Sequence, residues 1–245
     1  MRCLKFLFFI ILVICILRKV CSQIAFERKL HTAAITFNDF PPDYAEALIA
    51  AQRESKTLIY TWPSRSNDTI PSAAAQTTIP PIVHFIWFQD LYTEHLDISQ
   101  IPTSGSHALA ACQHHNPSFK IRVWNATTAR TLLLDHYAWF LPRYDNYKYP
   151  IQRIDAFKHF LLWHYGGVYM DLDISCRRPL DPLFGFAAWL PKAAPFGVNN
   201  DLMAVRARHP MLGEMLQELA VRDRDWVFPY LTVFGVRDRS LLVTC

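Results

Sequence analysis

The first feature of the chain is an apolar block. Arg2 and Lys5 precede an unbroken apolar run, Phe6–Leu17, which Arg18 and Lys19 close. The run is short for a full bilayer span and has the length and basic flanks of a signal-peptide core. Val20–Ser22 would tolerate cleavage after Ser22. A short signal anchor, with the chain on the lumenal side, is the equal alternative. Either reading sends the chain beyond residues 1–22 into the secretory pathway. Residues 23–78 are mixed and polar, rich in Ser, Thr, Ala and Pro, and read as a stem or linker with one helix around Tyr44–Glu54.

A core pattern begins after Pro80-Pro81. Ile82–Phe88 is a β-branched and aromatic run that predicts a buried first strand. A helix is expected around His107–His114, then a strand over Phe119–Asn125. Thr127–Leu141 has helical periodicity with a threonine N-cap. The clearest helix starts at Pro150, where proline is tolerated. Ile154, Phe157, Leu161 and Tyr165 form its apolar stripe, and Gly166-Gly167 ends it. Val168–Ile174 follows as a strand. This alternation predicts an α/β fold with a mostly parallel central sheet.

That last strand carries the candidate chemistry. By the two-residue period, Asp171 and Asp173 project to one side near its carboxyl end, where open α/β sheets bind ligands. Two such carboxylates repel unless a cation sits beside them. Mg2+ or Mn2+ prefers oxygen ligands and is usually shared with substrate phosphates, so the pair predicts a metal–diphosphate clamp. The competing reading is ion pairing with Arg153, Arg177 or Arg178. Arg153 and Asp155, at the start of the preceding helix, are expected at the same edge. Arg153 is suited to phosphate and Asp155 to sugar hydroxyls. For this pair the competing reading is an ordinary first-turn ion pair.

Composition narrows the classes. With 51% hydrophobic and 19% charged residues in 245, a substantial core forms and global disorder is excluded. The net charge of +4 comes without a dense basic run, so nucleic-acid binding has little support. Six cysteines show no zinc-ligand spacing. A Cys112–Cys176 disulfide is compatible with an oxidising compartment. Asn67 and Asn125 open Asn-x-Thr sequons, which suits the same compartment.

Four stretches, IPPIVHFIW, NPSFKIRVWN, NYKYPIQRIDAFKHFLLWHYGGVYMDLDISCRRPLDPL and PFGVNNDLMAVRARHPML, resemble successive blocks of the DxD-containing, mannosyltransferase-type sugar transferases. Within that family they are most similar to catalytic subunits of fungal mannosyl inositol phosphorylceramide synthases, and the resemblance implies a catalytic domain over residues 79–233. The resemblance implies a GT-A-like nucleotide-sugar-binding fold, GDP-mannose as donor, Mn2+ (or Mg2+), retention of anomeric configuration, and an inositol phosphorylceramide acceptor in sphingolipid biosynthesis. It also implies a Golgi membrane location with a lumenal catalytic domain, and a small membrane partner subunit. By the same resemblance Asp171 and Asp173 take the metal and diphosphate, and Arg153 and Asp155 lie near the donor sugar and phosphates. Asn200 and Asp201 face the transferred mannose and the acceptor, and His84 and Trp87 lie where the nucleoside is expected. Core packing is the competing reading for His84 and Trp87, and the better one for Trp87.

The pattern departs from the family after Val233, where residues 234–245 resemble none of its blocks and look like a truncation. The expected fold is therefore incomplete at the C-terminus, which leaves activity of the chain as written in question. Transfer to protein-linked glycans, or a truncated non-catalytic relative, are the alternative functions. A haloacid-dehalogenase-like phosphoryl transferase also uses Asp-x-Asp, but on the first strand of its domain, whereas two strands precede the motif here.

Overall fold

A computed structural model describes residues 2–53, 78–88, 101, 103–193 and 197–221. The divergent tail at 234–245, the Asn67 sequon and much of the stem lie outside the described residues. The elements are α1 (Arg2–Thr32), α2 (Pro42–Arg53), β1 (Ile82–Ile86), α3 (Thr103–His115), β2 (Lys120–Trp124), α4 (Ala126–Tyr137), α5 (Leu141–Asp145), α6 (Pro150–Tyr165), β3 (Gly167–Met170), β4 (Ala188–Trp189), β5 (Leu202–Val205) and α7 (Pro210–Val221).

The strands form one sheet in the order β2-β1-β3-β5-β4. β1 runs parallel to both β2 and β3, and β5 runs against β3 and β4. The α/β arrangement expected from the alternation is thus observed, as a mixed sheet whose parallel part is β2-β1-β3, and it agrees with the GT-A-like fold that the resemblance implies. Period two sorts the strand residues into two cores. Ile86, Tyr169, Met203 and Val205 pack with Leu133, Phe157, Phe160, Leu161 and Leu212 from α4, α6 and α7. Val83, Phe85, Val168, Met170 and Ala204 pack on the other face with Ala108 and Cys112 of α3 and with Phe184.

Two local expectations need correcting. β3 ends at Met170, so Asp171 and Asp173 do not share a strand face: the chain turns, with the Ile174 amide donating to the Asp171 carbonyl at 3.1 Å. The helix expected over Thr127–Leu141 is capped by Asn125, whose side chain accepts from the Thr128 amide at 2.8 Å, and a 3-10 turn at Ala138–Phe140 splits it. α1 continues through Arg18 and Lys19 to Thr32.

The elbow from α6 into β3 depends on its two glycines. Gly166 and Gly167 have φ of +64° and +101°, which side chains other than hydrogen disfavour. Space is lacking as well: a Cβ on Gly166 would lie 2.5 Å from the Ala207 nitrogen, and one on Gly167 2.6 Å from the Ile82 carbonyl. α6 therefore folds back close against β3 and β5.

On the opposite face Cys112 of α3 forms a disulfide with Cys176, Cα to Cα 4.7 Å, across 64 residues. Asn116 adds a second tie, its carbonyl accepting from the Leu180 amide at 2.8 Å and its amide donating to the Cys112 carbonyl at 3.0 Å. Cys176→Ser should lower unfolding stability by about 2–5 kcal/mol, the usual cost of losing a native disulfide, read as a shift in denaturant midpoint. A dithiothreitol-treated wild type should match the variant. Equal stability of reduced and oxidised wild type would contradict this.

Candidate active site

α6 supplies three of the site's residues. Its start is set by Pro150 and by Gln152, whose side-chain oxygen accepts from the Tyr149 amide at 2.9 Å. Its apolar stripe directs Ile154, Phe157 and Leu161 into the core. Lys158 lies four residues after Ile154 and three before Leu161, so it enters the same buried face, at 2% exposure. A lysine there must be paired.

Its partners define the site. The Lys158 Nζ lies 2.7 Å from Asp155 Oδ1 and donates to the Asn200 carbonyl at 3.2 Å. It also sits 5.0 Å over the Tyr169 ring. Asp155 Oδ1 accepts from the Asn200 side-chain amide at 3.2 Å. Asp155 thus pairs with Lys158, while Arg153 acts electrostatically on Asp145.

β3 and β5 bring the remaining carboxylates. The antiparallel register ends at Met170↔Leu202, so Asp171 and Asp201 come next. The Asp171 amide still donates to the Asp201 carbonyl at 2.8 Å. Asn199 donates to the Asp201 carboxylate at 3.3 Å. The Tyr169 hydroxyl donates to the Asp171 carboxylate. Asp155, Asp171, Asn200 and Asp201 are therefore neighbours at the carboxyl end of β3, and Asp173 is exposed on the turn beyond it.

Burial raises the Asp171 pKa. Lys158 and the Tyr169 hydrogen bond oppose the rise, and Asp173 and Asp155 add to it by repulsion. The cation acting on Asp171 is thus Lys158, not one of the arginines considered from the sequence. The Tyr169 phenol is held well above its ordinary range, first by burial and then by the Asp171 charge. Among the described residues no group of three or more His, Cys, Asp or Glu forms a metal cage. Asp171 and Asp173 alone suit a hard cation that takes its other oxygens from a ligand and water. The repulsion felt at Asp171 is what such a cation relieves.

His84 and Trp87 have different fates. His84 is fully buried, and its ring is used internally: Trp124 Nε1–H donates to Nδ1 at 3.2 Å, so Nε2–H is the donor to the Gly166 carbonyl at 3.0 Å. No polar atom of the ring faces solvent. Burial, with a smaller push from Arg122, lowers its pKa to about 4. Trp87 is half-buried just beyond the carboxyl end of β1, and its amide donates to the Trp124 carbonyl at 2.8 Å.

The sequence reading missed Lys158 and gave Tyr169 no role. The signal was present in one of them: position 158 falls on the apolar stripe.

Residues 102–190 match the family described as "Glycosyltransferase sugar-binding region containing DXD motif". The chain is 41% identical over 157 residues, 64% of its length, to "Mannosyl phosphorylinositol ceramide synthase SUR1" of Saccharomyces cerevisiae, and covers 39% of that protein. It is 32% identical over 171 residues, 70% of its length, to "Inositol phosphoceramide mannosyltransferase 2" of Schizosaccharomyces pombe, covering 47% of it. The chain thus spans less than half the length of these relatives. The solved structure of "PaToxG Glycosyltransferase" shares the fold, with a TM-score of 0.51 at 12% identity over 68% of each chain.

Two outcomes follow. The fold disfavours the ionised Asp171, so its contribution to stability is present at low pH and lost as pH rises through the raised pKa. Asp171→Asn should therefore melt higher than wild type at neutral pH without metal, read as a shift in melting temperature. For His84 the sign is opposite. The neutral ring is favoured, so stability should fall by about 3 kcal/mol as pH drops from 6.5 toward 4. In His84→Gln, denaturant midpoints over that window should be flatter.

Proposed function

We propose that the chain transfers mannose from GDP-mannose to inositol phosphorylceramide, with retention of configuration, at the lumenal side of the Golgi membrane. The observation that carries this reading is the meeting of Asp155, Lys158, Asp171, Asn200 and Asp201 at the carboxyl end of β3. The names of the fungal relatives, an inositol phosphoceramide mannosyltransferase and a mannosyl phosphorylinositol ceramide synthase, support the choice of sugar and acceptor.

Asp171 and Asp173 would hold Mn2+ (or Mg2+), which when bound offsets negative charge on the departing diphosphate. The residues of the chain divide the rest. Asp155, fixed by Lys158 and Asn200, presents its carboxylate to donor sugar hydroxyls. Arg153, one turn from the helix start, faces the phosphates. Asn200 and Asp201 orient the mannose toward its acceptor, and Trp87 lies at the nucleoside end. Tyr169 holds the Asp171 carboxylate in one orientation. No side chain is assigned as a nucleophile.

Membrane attachment would rest on α1. Phe6, Phe8 and Leu17 are 68%, 69% and 57% exposed, and the helix has a window apolar enough for a span. Arg18 and Lys19 suit the headgroup layer, their stems lying along apolar surface. A small membrane partner subunit would bind alongside.

The test is donor binding and transfer with the full chain. Calorimetry with GDP-mannose should show affinity only with Mn2+ or Mg2+, lost at least tenfold in Asp171→Ala while circular dichroism is unchanged. In vesicles containing inositol phosphorylceramide, labelled mannose should move to lipid. Unchanged donor affinity in Asp171→Ala, or transfer only to protein-linked glycans, would overturn the reading.

A further inference from the structure

The foot of α1 is built into the catalytic domain. Residues Phe6–Leu17 are bare, but Phe26 is 2% exposed. One residue on, Glu27 Oε1 accepts from the Gly197 backbone amide at 3.0 Å and from the Gln23 side chain at 3.0 Å. Its other oxygen lies 4.0 Å from the Lys192 ammonium. The segment after α1 stays docked: Phe40 packs on Phe186 at 6.1 Å, and Tyr44 is 5% exposed.

Lys192 and Gly197 stand on the two arms of the connection between β4 and β5. Lys192 pairs with Val198 in an antiparallel bridge. The Ala193 amide donates to the Gly197 carbonyl and the Asn199 amide to the Pro191 carbonyl, both at 2.9 Å. Gly197 holds φ of +87° and directs its amide at Glu27. Two residues further on begins Asn199-Asn200-Asp201, which carries the site's contacts to Asp155, Lys158 and Asp171. A carboxylate on a backbone amide is a charge-assisted bond, stronger than a neutral one.

α1 is one continuous helix from the apolar run to this contact. At 1.5 Å per residue, Glu27 lies about 12 Å along the axis from Lys19. We propose that Glu27 is a positioning residue: by holding Gly197 it fixes the Asn199–Asp201 segment at a set height above the lipid headgroups, so that an acceptor embedded in the bilayer meets the site. This rests on the mannosyl-transfer reading above. A soluble acceptor has no such need, since it approaches from any height.

The experiment uses the full chain in phosphatidylcholine vesicles, with inositol phosphorylceramide in the same vesicles or inositol 1-phosphate in solution. Glu27→Ala should raise the KM for the lipid acceptor at least fivefold. The KM values for GDP-mannose and inositol 1-phosphate should stay within twofold of wild type. Glu27→Gln should restore the lipid KM to within twofold, since its amide oxygen still accepts from Gly197. Hydrogen exchange at the Gly197 amide should speed up at least tenfold in the alanine variant and recover in the glutamine variant. Unchanged exchange would show that the bond does not hold Gly197 and overturn the proposal. So would faster exchange with an unmoved lipid KM, or an equal rise for both acceptors. A wild type that moves no mannose to either acceptor would instead remove the mannosyl-transfer reading, and this proposal with it.

Discussion

The site depends on one buried ammonium. Lys158 is 2% exposed, and an isolated charge there would cost several kcal/mol. It is retained because three groups meet it: the Asp155 carboxylate, the Asn200 carbonyl and the face of Tyr169. Each belongs to a different part of the chain, namely α6, the loop before β5, and β3. Their positions are coupled because a displaced partner would leave a charge or carbonyl unpaired in a dry setting.

Two rigid constraints bring those parts into reach. On one face the Gly166-Gly167 elbow folds α6 back so closely that a methyl group at either position would strike backbone. On the other, the Cys112–Cys176 disulfide and the buried Asn116 tie the segment after the Asp171–Asp173 turn to α3. The turn is held between a packed helix and a covalent link. Its exposed member, Asp173, can follow a ligand, while Asp171 is pinned by Tyr169 and the Asp201 carbonyl.

The same cluster shows stability set against use. Burial and repulsion from Asp173 and Asp155 raise the Asp171 pKa, and Lys158 offsets only part of that. A carboxylate poised this way costs the fold stability when it is ionised. His84, equally buried, shows the opposite solution: a neutral ring with both nitrogens satisfied and nothing left for a ligand.

Much of this was written in local pattern. Period and end signals placed α6 from Pro150 to the glycine pair, because proline and left-handed glycine act on their own residues. β-branched runs marked β1 and β2, and the Asp-x-Asp spacing marked the chemistry. What local pattern missed has a common cause. Strand period was carried through to Ile174, but β3 ends at Met170, where the chain turns back onto Asp171. His84 on a strand looks the same whether its ring faces a ligand or, as here, Trp124 and Gly166. Lys158 falls on the apolar stripe of α6, but its partner is set by the antiparallel pairing of β3 with β5, which delivers Asn200 to it. The chain by itself determined which elements form and which residues bear reactive groups, since those follow from neighbours in sequence. Only the tertiary structure decided which charge answers which, because Lys158 and Asn200 are 42 residues apart and Glu27 and Gly197 are 170 apart.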